Sequence, residues 1–289
     1  MSTTPRISLL VSTYNWPQAL ACVLEAIRHQ TQHPLEVIVA DDGSGDDTRT
    51  LIAQQARTFP VPLHHVWHPD AGFRAAAIRN RGIAQAQGEY IVQIDGDILL
   101  HPAALAAHAR FAQRGSFVQG SRALLSAERT QSLLAGEAAE VGRRVATLGP
   151  WSRGVHGMLN AWYAPALSRW VRGSRDTVHR IRGCHIAFWR DDILRVNGYD
   201  ESYEGWGRED SDLTLRLGHA GLMRRNLKFS AVAFHLWHPA AARDALDRNT
   251  HALETARLEQ RVRARRGIAE HALHIAHAAP SSLSQSDAP

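Results

Sequence analysis

The 289-residue chain has few cysteines and no long apolar run. Its two cysteines, Cys22 and Cys184, lie far apart without a metal-ligand spacing, so we interpret them as inert thiols of a reducing compartment. No stretch approaches the ~20 apolar residues of a transmembrane helix, and the first residues lack the pattern of a signal peptide. These absences predict a cytoplasmic protein.

The chain is also poor in lysine, with Lys228 as the only one, although Lys and Arg together number 33 and give a net charge of +5. A basic surface suits nucleic acid, anionic lipid or a phosphate-bearing ligand. The arginines are dispersed and no nucleic-acid-binding motif is present, so we expect no nucleic-acid partner. Peripheral contact with the inner membrane stays open. The sequence does not indicate an oligomeric state.

Three catalytic motifs are missing. The chain has no Gly-x-x-x-x-Gly-Lys loop, which excludes a P-loop NTPase. It has no Gly-x-Ser-x-Gly elbow of a serine hydrolase, and no His-Glu-x-x-His or cysteine-rich zinc motif. The chemistry must therefore be carried by other residues.

The N-terminal part of the chain alternates strand and helix patterns. Short apolar runs predict strands, and apolar residues at helical spacing predict helices between them. The predicted strands cover 7–11, 35–40, 63–67 and 90–94, and the predicted helices cover 16–30, 46–57 and 75–86. This rhythm is typical of βαβ units with a largely parallel sheet, whose ligands bind at the carboxyl ends of the strands.

The rhythm weakens further along the chain. We expect an irregular insertion over 120–182, a long helix over 253–278 and a disordered tail over 279–289. The remaining predicted elements are helices at 102–113, 191–196 and 210–218, regular structure at 183–189, and a strand at 231–235.

Asp95-Gly96-Asp97 follows the fourth predicted strand. Residues i and i+2 of an extended strand face the same side, so both carboxylates would point together beyond the strand end. Such hard oxygen ligands suit Mg²⁺ or Mn²⁺, completed by phosphates and water. The alternative is a tight turn, for which Asp-Gly is a strong signal.

Two further acidic segments lie at the boundaries of predicted elements. Asp42, in Asp41-Asp42-Gly43-Ser44, could accept a hydrogen bond from a base or ribose, or could belong to a helix-capping loop. Trp206 offers a flat face for a sugar, and Glu209 and Asp210 would lie in the first turn of a helix, where the helix dipole should keep them ionised. Such a carboxylate can take a proton from a hydroxyl. The alternative is a helix cap beside a core tryptophan.

Two histidines, His235 and His238, follow a predicted strand and could complete a metal site, although a histidine pair is often structural. The other histidines of the chain are expected on the solvated surface; among them are His64, His65, His68 and His108.

Together these motifs resemble the family-2 glycosyltransferases of GT-A fold. The resemblance rests on Val11-Ser12-Thr13-Tyr14-Asn15, the segment from Asp41 to Ser44, Arg79-Asn80-x-Gly82 and the segment from Asp95 to Asp97. The chain from 183 to 239, with Gly205-Trp206-Gly207-x-Glu209-Asp210, resembles a galactosyltransferase-type segment. The resemblance implies an α/β fold: a Rossmann-like, mostly parallel mixed sheet flanked by helices, with an acceptor-side insertion and a C-terminal helix. Residues 1–102 would form the nucleotide-sugar-binding half, and 103–278 the acceptor and catalytic half of the same domain.

The resemblance also implies a donor site. Asp42 would contact uracil or ribose, and Arg79 would lie near the diphosphate or donor sugar. Trp206 would stack on the sugar. The nucleotide pocket would be lined by Thr13, Tyr14 and Asn15. His185 should border the donor sugar, but related chains often carry Asn there, so the identity of the sugar stays open.

The implied cofactor is Mn²⁺ or Mg²⁺. Asp97 would ligate the metal, Asp95 would contact metal or ribose, and His235 would be the distal ligand, with His238 as the reserve. Asp210 would be the catalytic base, and Glu209 would orient sugar or acceptor.

The implied reaction is inverting transfer from a UDP-sugar to a hydroxyl of a saccharide or glycolipid, in the synthesis of bacterial surface polysaccharide or lipopolysaccharide. Two alternatives remain. A metal-dependent nucleotidyltransferase should have a glycine-rich loop after the first strand, and a non-catalytic sugar-binding module should have lost Asp97 or Asp210.

Overall fold

Strands in two sheets form the framework of the protein, which a computed structural model describes over residues 4–168, 173–240 and 242–271. The strands are β1 (Ile7–Thr13), β2 (Glu36–Asp41), β3 (Leu63–Trp67), β4 (Tyr90–Asp95), β5 (Ile98–Leu100), β6 (Ser116–Gly120), β7 (Ala123–Leu125), β8 (Val155–His156), β9 (Gly173–Ser174), β10 (His185–Trp189), β11 (Met223–Leu227) and β12 (Ala233–His235). The helices are α1 (Pro17–Arg28), α2 (Asp46–Ala56), α3 (Ala75–Gln85), α4 (Ala104–Phe111), α5 (Ala127–Leu134), α6 (Ala138–Thr147), α7 (Met158–Ala161), α8 (Pro165–Ser168), α9 (Arg190–Arg195), α10 (Glu209–His219) and α11 (Leu246–Leu258).

The larger sheet has eight strands in the order β3-β2-β1-β4-β10-β6-β11-β9 within the described residues. Strands β3, β2, β1 and β4 are parallel, whereas β10 is antiparallel to both β4 and β6. Strands β1, β2 and β4 are buried along nearly their whole length because helices cover both faces, whereas β3 at the edge of the sheet is largely exposed or half-buried. This is the mixed, mostly parallel sheet expected from the sequence.

The smaller sheet, β5-β12-β7-β8, lies beside the end of β4. A turn at Gly96 and Asp97 connects β4 to β5, and His235 on β12 pairs with Ile98 on β5. The pairing fixes His235 next to Asp97, because Ile98 follows Asp97 directly in the chain.

The predicted N-terminal elements are confirmed to within about two residues. Helix α1 shows why: Leu20, Val23, Leu24 and Ile27 are fully buried on one face. Strands β5, β6 and β11 were not predicted. Each is short or lacks a clear period, and β11 carries Arg224, Arg225 and Asn226.

The predicted long helix over 253–278 is wrong for much of its described part. Helix α11 begins earlier, at Leu246, and ends at Leu258. Gln260 then adopts a left-handed φ of 51°, which turns the chain away from the helix axis. The following segment packs on the loop after α9, where the amide of Ala264 donates to the carbonyl of Val196 at 3.0 Å. The end of that prediction and the predicted tail at 279–289 lie outside the described residues.

Within 4–168, 173–240 and 242–271, none of the helices is both long enough and apolar enough to cross a bilayer.

Candidate active site

The loops that follow β1, β2 and β4 meet at one edge of the larger sheet. In register, Thr13 lies beside Asp41, and Ser12 lies beside Asp95. Parallel strands bring their carboxyl ends to the same edge, so the polar segments that the sequence places after each strand converge there.

The loops after β1 and β2 are joined by two hydrogen bonds. The Asn15 amide donates to Ser44 Oγ at 2.8 Å, and the Gly45 amide donates to Asn15 Oδ1 at 3.0 Å. Thr13 is buried below them, whereas Tyr14 is 51% exposed and donates its hydroxyl proton to Asp70 Oδ2 at 2.8 Å. The predicted pocket residues are therefore brought together, with Tyr14 facing solvent.

Asp42 is buried and held from two directions. Its Oδ1 atom lies 2.6 Å from His68 Nε2, and its Oδ2 atom accepts from the Arg74 amide at 2.9 Å. The neighbouring Asp41 is held in the same way by His65 Nε2 at 2.9 Å. These bonds fix the orientation of Asp42, and each of its oxygens keeps a lone pair for a ligand.

The segment Asp95-Gly96-Asp97 is a turn and not a continued strand, so the expectation that both carboxylates point together is wrong. Strand β4 ends at Asp95, and the Gly96 amide donates to the Ser12 carbonyl at 2.6 Å. A Cβ at Gly96 would lie 2.9 Å from that carbonyl oxygen, so glycine is needed for the close approach. The turn sends Asp95 toward Arg79 and Asp97 toward the smaller sheet.

Asp97, His235 and His238 form a cluster whose potential ligand atoms all lie within 4.8 Å of one another. Asp97 Oδ2 is 3.5 Å from His235 Nε2 and 3.3 Å from His238 Nε2. Within the described part of the chain, Asp97 Oδ1 is buried and has no hydrogen-bond partner. Both histidines therefore join Asp97, whereas Asp95 is not part of the cluster.

The two histidines differ in their electrostatic surroundings. Burial lowers the pKa of His235, which favours the neutral ring that can ligate a metal. The hydrogen bond to Asp97 raises the pKa of His238, which is more exposed. A proton on His238 would have to leave before that ring could bind a cation.

Arg79 connects Asp95, at the end of β4, to the two carboxylates that begin α10. Its guanidinium lies 2.9 Å from Asp95, 3.2 Å from Asp210 and 3.5 Å from Glu209, and its Nε donates to Ser12 Oγ at 3.2 Å. Burial raises the pKa of Asp95 to about 6, against the opposing effect of Arg79.

Glu209 and Asp210 begin α10 after a loop of unusual backbone. Gly205 and Gly207 have φ of 74° and 110°, and Arg208 enters the helix with φ of 78°. Burial raises the pKa of Glu209 to about 7, and the charge of Asp210 adds to the effect. The helix dipole therefore does not keep Glu209 fully ionised at neutral pH, because loss of hydration outweighs it.

Asp210 is oriented by a backbone amide as well as by Arg79. Its Oδ2 atom accepts from the Gly183 amide at 2.9 Å, while the side chain remains 22% exposed. A Cβ at Gly183 would lie 1.9 Å from Asp210 Oδ1, so any larger residue there would displace the Asp210 carboxylate. Trp206 is 38% exposed in the loop before α10, with the Arg243 guanidinium 5.4 Å from its ring.

The structure places His185 away from the cleft. The ring is fully buried, its Nε2 lies 2.9 Å from His108 Nε2, and its Nδ1 lies 3.1 Å from the Ser121 carbonyl. The expected contact of His185 with a donor sugar does not fit this position.

The expectation of surface positions is also wrong for other histidines. His108 and His68 are buried, and His65 bonds a buried carboxylate. Gly183 and His68, which orient Asp210 and Asp42, were not identified as orienting residues from the sequence. One available signal was the position of His65 and His68 at the end of β3, beside the acidic end of β2.

Comparison with known proteins gives two family matches that follow the two halves of this site. Residues 8–159 match the model of glycosyl transferase family 2, and residues 172–239 match a model described as the N-terminal domain of galactosyltransferase. The first match includes Asp42, Asp95 and Asp97, and the second includes Asp210 and His235.

Several curated relatives are named for sugar transfer or glycan synthesis. Validoxylamine A glucosyltransferase of Streptomyces hygroscopicus subsp. limoneus is 28% identical over 238 residues, which is 76% of this chain and 49% of that protein. Chondroitin synthase of Escherichia coli is 24% identical over 79% of this chain and 34% of its own length. The chain thus spans about half or less of the length of these relatives.

Among solved structures, S. aureus TarS 1–349 in complex with UDP matches 92% of this chain and 68% of its own, with a TM-score of 0.59 and 16% identity. At this identity the match shows a common fold.

Proposed function

Since the chain belongs to glycosyl transferase family 2, we propose that it transfers a sugar, with inversion, from a nucleotide donor to a hydroxyl of a glycan or glycolipid. One observation carries the proposal: a carboxylate–histidine cluster follows β4 at the carboxyl edge of the sheet, and Arg79 pairs with Asp95 at the end of that strand and with the oriented, solvent-accessible Asp210. The UDP complex of TarS supports UDP as the nucleotide. The setting that we propose is synthesis of bacterial surface polysaccharide or lipopolysaccharide, with peripheral contact at the inner membrane.

The donor pocket is proposed between the loops after β1 and β2. Asp42 is held so that a free lone pair can accept from uracil or ribose, and the exposed ring of Tyr14 can lie against the base. Arg79 is a fixed positive charge that a diphosphate entering the cleft would meet. Trp206 provides an aromatic face for the sugar.

The residues at the turn fit a divalent cation. Asp97 has a buried oxygen without a partner among the described residues, and His235 and His238 supply two more donor atoms. Two imidazoles beside one carboxylate suit Mn²⁺ better than Mg²⁺, which prefers oxygen ligands. A cation held by these three residues would supply positive charge next to the departing diphosphate.

Asp210 is the proposed base. Its two oxygens are held by Gly183 and Arg79, and its exposed part can accept a hydrogen bond from an acceptor hydroxyl. As that oxygen forms a bond to the anomeric carbon, Asp210 takes its proton and the nucleoside diphosphate leaves with the electrons of the broken bond. Glu209, with an unbonded and buried Oε2 atom within the described residues, would orient the sugar or acceptor.

Calorimetric titration with UDP tests the donor and metal parts of this proposal. We expect UDP to bind wild type more tightly with Mn²⁺ than with chelator, and Asp97→Ala to lose that difference. His235→Ala and His238→Ala should each reduce it. The same affinity with and without Mn²⁺ in the wild type would contradict the metal role. Metal-dependent UDP binding without transfer to any acceptor would favour a sugar-binding module instead.

A further inference from the structure

A groove of about 1020 Å³ lies between the segment 175–180, α10 and α11. We call it the arginine groove, because Arg175, Arg180 and Arg208 line it. It runs along the side of α10 that faces α11, from Arg208 just before the helix, past Leu215, to the residues that follow the helix end.

Positive charge dominates the lining of the arginine groove. Its two acidic side chains already have basic partners, Asp176 with His179 at 3.2 Å and Glu254 with Arg257 at 2.7 Å. Within the described residues, none of the three arginines lies within 4.0 Å of a carboxylate, and the Arg208 Nε atom donates to the Thr250 hydroxyl. The groove therefore offers unneutralised cations to a ligand.

The floor of the arginine groove is apolar. Leu215 and Leu253 are buried there and pack together with the half-buried Val178. Cationic walls above an apolar floor suit a sugar that carries acidic groups on its edge and C–H groups on its face.

Two arginines of the groove are close in sequence to the residues that form and orient the proposed base. Arg208 directly precedes Glu209 and Asp210, and Arg180 lies close to Arg182, the residue before Gly183. Arg122, whose Nη1 atom donates to Cys184 Sγ at 3.3 Å, is also close to Arg182. Arginines thus continue from the groove to the cleft in which Gly183 holds Asp210.

We infer that the arginine groove binds an acidic saccharide, the acceptor chain whose end reaches Asp210. The role of the saccharide as acceptor rests on the proposed function. The binding of an acidic saccharide in the groove does not depend on it. The recognition is by ion pairs to carboxylates along the chain and by contact of the pyranose faces with the leucine floor.

Binding of a labelled hexagalacturonate to the full chain tests the inference. The uncharged control ligand is the fully methyl-esterified hexagalacturonate. We expect the acid form to bind, the ester to bind much more weakly, and affinity to fall with added salt. Arg175→Gln/Arg180→Gln should weaken binding about tenfold, as expected for two partly exposed ion pairs. The matched control, Arg57→Gln/Arg110→Gln, changes two exposed arginines that do not line the groove and should bind like wild type.

Three results would overturn the inference: equal binding of acid and ester, equal effects of the two double variants, or competition by tripolyphosphate as strong as by unlabelled hexagalacturonate. Metal-dependent UDP binding is measured on the same proteins and should be unchanged in both double variants. Its absence from wild type would count against the donor site alone, because hexagalacturonate binding does not depend on it.

Discussion

A single residue, Gly183, determines the orientation of Asp210, the proposed base. Its amide holds Asp210 Oδ2, and the space that a side chain would fill is occupied by the Asp210 carboxylate, 1.9 Å from an ideal Cβ. We predict that Gly183→Ala displaces Asp210 and lowers transfer by about a hundredfold or more, the scale of a misplaced general base, while UDP binding with Mn²⁺ is kept.

Gly149→Ala is the matched control for this change. Gly149 has nothing within 4 Å of an ideal Cβ, so the added methyl group should leave transfer unchanged. Steady-state rates and UDP affinities of the two variants make the comparison. Normal transfer by Gly183→Ala would show that Asp210 does not need this position.

The first turn of α10 joins two carboxylates with different surroundings. Asp210 is partly exposed, but Glu209 is buried and its pKa is about 7 against an ordinary value of 4.5. Between these values folded Glu209 keeps a proton that the unfolded chain has lost, so its contribution to stability falls as the pH rises from about 4.5 to about 7. The loss is on the order of 1.4 kcal/mol per unit of pKa difference.

We predict that Glu209→Gln removes this dependence, because glutamine is close in shape to the protonated acid. The free energy of unfolding from urea titrations should then be higher in the variant than in wild type at pH 8, with a smaller difference at pH 4.5. An identical pH dependence in both proteins would mean that Glu209 is ionised in the fold.

Individual helices and strands differ in how well the sequence predicts them. Helix α1 and strand β4 have clear periods and were located closely, and the order of the polar loops after β1, β2 and β4 followed from them. The turn at Gly96 could not be distinguished from a continued strand, because the bond from its amide to Ser12 joins residues far apart in sequence. The same limit applies to His185, since its burial depends on His108 in another element.

At the scale of the whole molecule, a buried histidine pair makes the fold sensitive to acid. Burial lowers the pKa of His185 to about 4 and holds the pKa of His108 well below its ordinary value, so both rings stay neutral in the core. Their contribution to stability is complete above pH 6.5, the ordinary value for histidine, and is lost as the pH falls from there toward 4, because only the unfolded chain takes up protons. Each histidine adds a slope of up to about 1.4 kcal/mol per pH unit.

We predict that His185→Asn halves this part of the slope. The Asn amide can still donate to the Ser121 carbonyl from the position of Nδ1, while the ring atoms that reach His108, and one titrating group, are removed. Urea titrations between pH 7 and pH 5 measure the change. A slope equal to that of wild type would show that burial does not lower the pKa of His185.

The overall arrangement explains why two distant segments share one site. Antiparallel β10 places Gly183 and Cys184 beside β4, and the pairing of β12 with β5 returns His235 to Asp97. The sequence indicated the four motifs and their order, but the partners of each carboxylate depend on these long-range pairings. That is why His238 as well as His235 meets Asp97, and why Arg79 lies between Asp95 and Asp210.

The most direct test of the account compares wild type and Asp210→Asn in two assays, release of UDP from a panel of UDP-sugars with added acceptors and binding of UDP with Mn²⁺. The account predicts that Asp210→Asn binds UDP as wild type does and loses transfer by three orders of magnitude or more, about the contribution of a general base together with its charge. Transfer at the wild-type rate by Asp210→Asn would contradict it.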